Sequence, residues 1–226
     1  MTSYPNTPPE LLEEIAAAVG PLPGWTSVAR AQEMADAIME TKPQIAVELG
    51  VFGGRTLIAQ ALAMRASGHG GIVVGIDPWS VHDAIEDENE ANIKFWGNEA
   101  TLEAAHKTTM NAIWSRALQG VCVVIRSASQ FAAPLFNSID MLFIDGNHAE
   151  VPCLRDVETW VPKVRPGGYI FVDDCDWETT QKGYTRLKEM ADVMAIGDEV
   201  LPDGTHRKGH YLVLRKKPMN LGRFEQ

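Results

Sequence analysis

The sequence predicts an α/β protein with a doubly wound, mostly parallel seven-stranded sheet that ends in an antiparallel hairpin. Five short apolar runs alternate with helix-length segments between residues 45 and 192. Glycines or acidic residues follow several of these runs, which is typical of parallel strands that end at a ligand-binding edge. Two further β-like runs, at 193–196 and 210–214, flank a turn-rich segment at 201–204 and indicate the hairpin.

Hydrophobic periodicity and turn residues predict each element in order. Two helices, at 8–19 and 26–41, precede the sheet and are separated by a Gly-Pro segment at 20–24. The five parallel strands are predicted at 45–49, 72–76, 121–125, 139–144 and 169–173. The helices between and after them are predicted at 55–66, 99–118, 150–164 and 177–192, with a short helix ending near Pro134. Residues 166–168 are predicted to form the turn into the fifth strand.

This order divides the chain into three regions. Residues 1–44 are a predicted helical cap, which is either a lid over the strand ends or a homo-oligomer contact. Residues 45–217 are the sheet domain, and 80–118 within it is a predicted lid or substrate region, because long connections often bind ligands. Residues 218–226 are a C-terminal tail.

Composition and net charge limit the classes of molecule that the protein is expected to bind and the location expected for it. The chain has 226 residues and a net charge of −10, which suits one domain and argues against nucleic acid. The basic clusters at 207–208 and 215–217 are predicted to be solvated surface. No apolar run reaches the ~20 residues of a membrane span, and residues 1–14 do not resemble a signal peptide. Three scattered cysteines, with Cys122 expected in the core, favour a cytoplasmic location.

Acidic residues follow the fourth and fifth predicted strands. The fourth runs into Asp145-Gly146-Asn147-His148, and the fifth runs into Asp173-Asp174. Because parallel strands end at one edge of the sheet, three carboxylates and a histidine are expected together there. Such acids repel one another unless a cation neutralises them, so a hard divalent metal is the first hypothesis. The alternatives are a solvated strand end or helix cap for the aspartates, and a surface position for His148.

The turn after the first strand has the pattern Glu48-x-Gly50-x-x-Gly53-Gly54. Glycines at these positions let the backbone come close to a ligand. A tight turn that binds no ligand would also require them. Asp77 closes the second strand, where a carboxylate can accept hydrogen bonds from ribose hydroxyls. The spacing differs from the Gly-x-Gly-x-x-Gly of pyrophosphate binding, so a nucleoside ligand is predicted and need not be a dinucleotide.

These segments, in order, resemble class I S-adenosylmethionine-dependent methyltransferases, which are Rossmann-like, over about residues 45–215. Residues 48–54 and 75–77 resemble the first two motifs of that class. Residues 127–130, 143–148 and 171–174 are similar to the adenine and metal segments of the catechol O-methyltransferase group. The resemblance implies a cofactor, S-adenosylmethionine, held by Glu48, Gly50, Val51, Phe52, Gly53, Asp77, Ser127, Ser129, Gln130 and Asp145. Within that set Asp77 would hold the ribose, and Ser129 and Gln130 would flank the adenine.

The resemblance also implies that Asp145, Asp173 and Asp174 bind Mg²⁺ or another divalent cation, and that Asp145 and His148 are catalytic. His148 occupies the position of a catalytic lysine in the catechol enzymes, and Asp173-Asp174 replaces their Asp-Asn pair. The metal site is thus more similar to enzymes that methylate sugar hydroxyls of macrolides. A bound cation lowers the pKa of an acceptor hydroxyl, and a histidine can then take its proton near neutral pH.

The predicted partner is a small molecule with a hydroxyl group, with selectivity in residues 1–44 and 80–118. The alternatives are a nicotinamide-dependent oxidoreductase, a metal-dependent hydroxylase and a non-catalytic nucleoside- or metal-binding module. Arg155 and Asp156 are expected on a solvated helix face. Four histidines are expected at the surface or in loops: His82, His106, His206 and His210. Five tryptophans are expected mostly in the core, with the first and last of them at the ligand edge: Trp79, Trp96, Trp114, Trp160 and Trp177.

Overall fold

The computed structural model describes residues 4–201 and 203–218. Residues 219–226 of the predicted tail, and Pro202 of the predicted hairpin turn, lie outside the described residues. The strands are β1 (Ile45–Leu49), β2 (Ile72–Ile76), β3 (Cys122–Ile125), β4 (Ile139–Ile144), β5 (Val164–Val172), β6 (Ala191–Val200) and β7 (His206–Lys216). The helices are α1 (Pro9–Val19), α2 (Val28–Thr41), α3 (Arg55–Ser67), α4 (Val81–Ala84), α5 (Glu90–Trp96), α6 (Glu99–Ser115), α7 (Ser129–Ala132), α8 (Glu150–Trp160) and α9 (Gln181–Met190).

The predicted fold class is confirmed. The strands form one seven-stranded sheet in the order β3-β2-β1-β4-β5-β7-β6. β1 to β5 pair in parallel, whereas β7 pairs antiparallel with both β5 and β6. The connection from β3 crosses β2 and β1 to reach β4, so the strand order reverses between β1 and β4.

Helices cover both faces of the sheet, and each face has its own hydrophobic core. One core contains α1, α2, α3 and α6 against residues such as Phe143 and Phe171. The other contains α8 and α9, with the fully buried Trp160 and Leu187, against Leu142 and its neighbours. The N-terminal helices α1 and α2 therefore pack into the sheet domain through α3. Among the described residues, no helix is both long and apolar enough to cross a membrane.

Several predicted boundaries were wrong for local reasons. The helix predicted at 177–192 begins only at Gln181, because the Thr180 hydroxyl donates to the Asp174 carbonyl and holds 177–180 in turns. β5 begins at Val164, so residues 166–168 lie inside it, where pairing with β4 shifts register. Trp114, expected in the core, is 64% exposed near the end of α6. Trp160 and Cys122 are buried, as predicted.

Candidate functional site

A cavity of about 480 Å³ opens at the carboxyl ends of β1, β2, β4 and β5. This is where the strand order reverses, and open α/β sheets bind ligands in the crevice at such a point. The volume lies within the roughly 300–1,000 Å³ of small-molecule sites. The turn after β1, Asp77, the segment after β3 and the acids after β4 and β5 all contribute to its wall.

The glycine turn after β1 packs tightly against backbone. Gly50 has φ of +82°, and a Cβ there would lie 2.0 Å from the carbonyl oxygen of Asp145. A Cβ on Gly53 would lie 2.3 Å from the carbonyl oxygen of Pro23. Side chains are thus excluded at both positions, and both glycines line the cavity together with Val51 and Phe52.

Asp77 fixes the conformation of this turn. Its Oδ2 accepts hydrogen bonds from the backbone N–H groups of Val51 and Phe52, both at 2.9 Å. Its Oδ1 accepts one from the N–H of Trp79 at 2.7 Å. Burial raises the pKa of Asp77, and these backbone bonds oppose that rise. Oδ1 accepts only one bond and so keeps acceptor capacity beside the cavity, which a ribose hydroxyl can use.

Glu48 has a different environment from the rest of the predicted cofactor set. It is fully buried and lies outside the cavity lining. Its carboxylate accepts hydrogen bonds from Thr56 Oγ1 at 2.7 Å and Gln60 Nε2 at 2.5 Å, both on α3. Burial raises its pKa well above the ordinary value. Glu48 therefore holds α3 against β1 and supports the turn from behind.

The segment after β3 lines the cavity through Ser129 and Gln130, whereas Ser127 does not. The Ser129 hydroxyl donates a hydrogen bond to Asp156 Oδ1 on α8. The expectation that Asp156 lies on a solvated face is wrong: it is 6% exposed and lines the cavity. Burial raises the pKa of Asp156 to about 6. Arg155 also lines the cavity and pairs with Glu86 at 2.7 Å, so it is not simply solvated.

Asp145, His148 and Asp174 form one cluster at the ends of β4 and β5. His148 Nε2 lies 3.0 Å from Asp174 Oδ2 and 3.5 Å from Asp145 Oδ1, and it has no hydrogen-bond partner. Although burial opposes the charged form, the two carboxylates raise the pKa of His148 to about 9. Burial raises the pKa of Asp145, and His148 opposes that rise. Asp145 and Asp174 supply the carboxylate oxygens that a hard divalent cation prefers, and the imidazole of His148 lies beside them.

Asp173 is the predicted site residue that lies apart from this cluster. Asp174 has φ of +53°, and the carboxylates of the two neighbouring aspartates have different partners. The Asp173 carboxylate is buried, 3.6 Å from Arg30 Nη2 of α2, and groups with Glu199 and His210. Burial raises the pKa of Asp173 well above the ordinary value, and Arg30 opposes that rise.

Sequence reasoning missed residues that the hairpin brings to the cavity. Arg207, predicted as solvated surface, is half-buried, and Nη1 pairs with Asp174 Oδ1 at 2.7 Å. Arg207 also forms a second ion pair, with Asp176. His210, expected at the surface or in a loop, is 4% exposed on β7, because antiparallel pairing with β5 places it beside the strand-end acids. Both residues line the cavity.

Aromatic side chains from three segments meet at one side of the cavity. Trp25, from the linker before α2, stacks on Phe52 of the glycine turn with ring centroids 5.4 Å apart. Phe95 and Trp96 of α5 contact Trp25 edge-on, at 5.2 and 5.7 Å. The linker and part of the predicted lid region therefore line the same cavity as the turn. Trp79 and Trp177, expected at the ligand edge, also line it.

Known proteins match this chain at the level of family and fold. A family model described as a methyltransferase domain matches residues 47–175, more than half of the chain. Uncharacterized protein R132 of Acanthamoeba polyphaga mimivirus is 25% identical over 128 residues, 57% of this chain. That match spans only 50% of the viral protein, so this chain corresponds to about half the length of that relative.

Two solved structures share the fold over nearly the whole chain. The O-methyltransferase from Bacillus cereus, in complex with SAH, has a TM-score of 0.61 at 15% identity and covers 93% of this chain and 92% of its own. The O-methyltransferase TomG from Streptomyces achromogenes, involved in tomaymycin synthesis and in complex with SAM, has a TM-score of 0.61 at 17% identity. That match covers 95% of this chain and 92% of TomG.

Proposed function

The chain belongs to the methyltransferase-domain family and has the class I methyltransferase fold, and on this basis we propose that it is an S-adenosylmethionine-dependent, divalent-metal-dependent O-methyltransferase. One observation carries the proposal. The glycine turn with Asp77 and the cluster of Asp145, His148 and Asp174 line the same cavity. Methyl transfer requires a donor and an acceptor oxygen held in line, so two such subsites in one cavity suit this reaction.

The residues of the turn would position the donor. S-adenosylmethionine would supply an electrophilic methyl group on a sulfonium, as the donor complexes of similar fold suggest. Gly50 and Gly53 let the turn pack closely on the backbone of Asp145 and Pro23, which fixes the turn as part of the cavity wall. Asp77 Oδ1 can accept from a ribose hydroxyl. Ser129 and Gln130 are the adenine contacts in this proposal, and both line the same cavity.

The cluster would activate the acceptor. Asp145 and Asp174 would hold Mg²⁺ or a similar cation, which would lower the pKa of a bound hydroxyl. His148 Nε2 is buried and has no hydrogen-bond partner, but its pKa of about 9 keeps the imidazole protonated near neutral pH when no cation is bound. A cation held by the two carboxylates would lower that pKa, and His148 would then take the hydroxyl proton. The carboxylates of Asp145 and Asp174, which lie 3.5 and 3.0 Å from Nε2, would then stabilise the imidazolium.

The acceptor in this proposal is a small molecule of the sugar or natural-product type. The net charge of −10 supports a partner other than nucleic acid. The aromatic side chains of Trp25, Phe52, Phe95 and Trp96 support an acceptor with apolar surface. Free cysteines at 122, 153 and 175 support a cytoplasmic location.

Calorimetric titration with S-adenosylmethionine, with and without Mg²⁺, tests the donor half of the proposal. Assays on a panel of small molecules that carry hydroxyl groups, with release of S-adenosylhomocysteine as the readout, test the acceptor half. We expect a Kd between about 1 µM and 1 mM and turnover that a chelator abolishes. Absence of donor binding would refute the proposal. Donor binding without turnover on any hydroxyl would favour a non-catalytic module, and binding of a nicotinamide dinucleotide instead would favour an oxidoreductase.

A further inference from the structure

Three ligand-type side chains meet in a buried position beside the proposed catalytic cluster. They are Asp173 at the end of β5, Glu199 on β6 and His210 on β7, and each is at most 4% exposed. One potential ligand atom from each of the three lies within 4.8 Å of the others. From this arrangement we infer a second metal site, one that binds a transition-metal ion such as Zn²⁺ through these three residues.

Two unpartnered oxygens provide independent support for a missing ligand. Asp173 Oδ1 and Glu199 Oε2 are buried and have no hydrogen-bond partner, and Arg30 Nη2, which lies 3.6 Å from Asp173 Oδ1, has none either. A buried carboxylate oxygen left without a partner costs about 1–3 kcal/mol or more, so two in one place indicate a ligand between them. His210 Nε2 lies 3.5 Å from Glu199 Oε2. That separation is close to the ~3.4 Å expected between two ligands of a tetrahedral Zn²⁺ with bonds of about 2.1 Å.

The surrounding cationic groups compensate these two carboxylates only in part. Arg30 approaches Asp173 Oδ1 only to 3.6 Å, whereas it pairs with Glu33 Oε2 at 3.0 Å and stacks on the Tyr211 ring at 3.6 Å. Arg207 is occupied by Asp174 and Asp176. A dication would therefore add to the partial compensation that Arg30 gives Asp173, and it would replace the 3.5 Å contact between His210 Nε2 and Glu199 Oε2 by coordination to both.

His210 is oriented as a metal ligand should be. Its Nδ1 lies 3.2 Å from Asp176 Oδ1, so a proton on Nδ1 leaves Nε2 free for a metal. A carboxylate that accepts from the second nitrogen of a ligating histidine is the usual support for such a site. One imidazole nitrogen with two carboxylates favours zinc and its neighbours, in contrast to the hard oxygen donors that favour Mg²⁺.

The site would join segments that are distant in the chain. Glu199 Oε1 also accepts a hydrogen bond from the backbone N–H of Ser27, the residue before α2, at 2.6 Å. An ion held by Glu199 would therefore connect β5, the hairpin and the start of α2. The neighbouring linker residues Trp25 and Thr26 line the cavity, so the ion would also stabilise that wall.

Zinc binding to the metal-free full-length protein tests this site. Calorimetry and elemental analysis after desalting should find one Zn²⁺ per chain that survives Asp145→Asn. We expect Glu199→Gln and His210→Gln each to weaken this zinc at least about 10-fold, and Asp176→Asn to weaken it less. Glu158→Gln, which changes an exposed side chain on α8, is the matched control. Thermal unfolding should show Zn²⁺ stabilising wild type and Asp145→Asn but not the double variant Asp145→Asn with Glu199→Gln, which removes a ligand from each of the two sites.

Cobalt spectroscopy covers the case in which a variant folds poorly. Co²⁺ bound to the wild-type protein should give visible bands of four-coordinate geometry that persist in Asp145→Asn. Loss of all zinc in Asp145→Asn, or unchanged zinc affinity in Glu199→Gln, would overturn the inference. So would a wild-type protein that binds no zinc, in which case a shared proton or a water molecule joins the two carboxylates. None of these readouts depends on methyl transfer, so they fail independently of the proposed function.

Discussion

The part of the cavity proposed to bind the methyl donor (the donor half) and the part proposed to bind the acceptor (the acceptor half) are built from different kinds of interaction. The donor half, at the ends of β1, β2 and β3, relies on backbone: Asp77 binds three N–H groups, and Gly50 packs on a carbonyl. The acceptor half, at the ends of β4 and β5, relies on charged side chains from four separate segments, such as Arg30 and Arg207. The donor half is therefore held by backbone contacts among the strand ends, whereas the charges around the acids of β4 and β5 are completed only where the hairpin and α2 pack beside them.

The largest expected effect concerns Asp145, which contacts His148 and is a proposed metal ligand. Asp145→Asn should lower kcat about 10³-fold, because metal activation of the acceptor is worth several kcal/mol. Turnover at saturating S-adenosylmethionine measures this effect. Asp192→Asn, which changes an exposed aspartate on β6, is the control. A loss of less than tenfold in Asp145→Asn would show that the acceptor half does not work through a metal.

His148 tests whether the acceptor half also supplies the base. His148→Gln should lower kcat about 10²-fold while donor affinity stays within about twofold, because a general base acts on the acceptor alone. Steady-state kinetics combined with donor calorimetry separate the two quantities. His82→Gln, at an exposed position in α4, should match wild type. Equal turnover in His148→Gln and wild type would leave the base unassigned.

Residues that directly follow a strand could be predicted from sequence in both halves, because their signals are adjacent along the chain. Gly50 and Asp77 each follow directly on an apolar strand, so strand prediction alone places them at the cavity. Arg207 could not be found this way, because its partners Asp174 and Asp176 become neighbours only through antiparallel pairing of β5 and β7.

Two missed residues nevertheless carried a periodic signal. His210 is in phase with the buried Leu212 and Leu214, so the period of two already placed it on the inner face of β7. Asp156 lies three residues after Cys153 and four before Trp160, both buried on α8. A polar residue at a position that shares the periodicity of the buried residues is a stronger indication of a functional site than the residue type alone.

The protonation of His148 should make the acceptor half sensitive to pH when no metal is bound. Its pKa is about 9 in the folded chain and 6.5 ordinarily, so it stabilises the fold fully below pH 6.5. That contribution is lost as pH rises through about 9. In chelator, wild type should lose about 2 kcal/mol of unfolding free energy relative to His148→Gln between these pH values, after allowance for screening. Urea unfolding at both pH values measures it, and parallel curves would contradict it.

Asp77 provides the corresponding test of the donor half. Asp77→Asn replaces one acceptor oxygen by a donor, so the N–H groups of Val51, Phe52 and Trp79 cannot all remain satisfied. We expect donor affinity to fall by about 1–2 kcal/mol, roughly 10-fold, with kcat at saturation little changed. Calorimetry and kinetics together measure the split. A fall in kcat at unchanged affinity would mean that the two halves are not separate.

Glu48 gives the smallest expected effect and the sharpest contrast with Asp77. Both were predicted to contact the donor, but the Glu48 carboxylate contacts only Thr56 and Gln60 of α3. Burial raises the pKa of Glu48 well above the ordinary value, which reduces the difference in charge from glutamine, and the Thr56 hydroxyl can rotate to accept. Glu48→Gln should therefore change donor affinity by less than about 0.5 kcal/mol, the scale of a change with no direct contact. If calorimetry instead finds that Glu48→Gln lowers donor affinity as much as Asp77→Asn does, then residues that only support the turn matter as much as those proposed to contact the ribose. Donor binding would in that case depend on packing behind the turn as well as on the backbone contacts at the cavity.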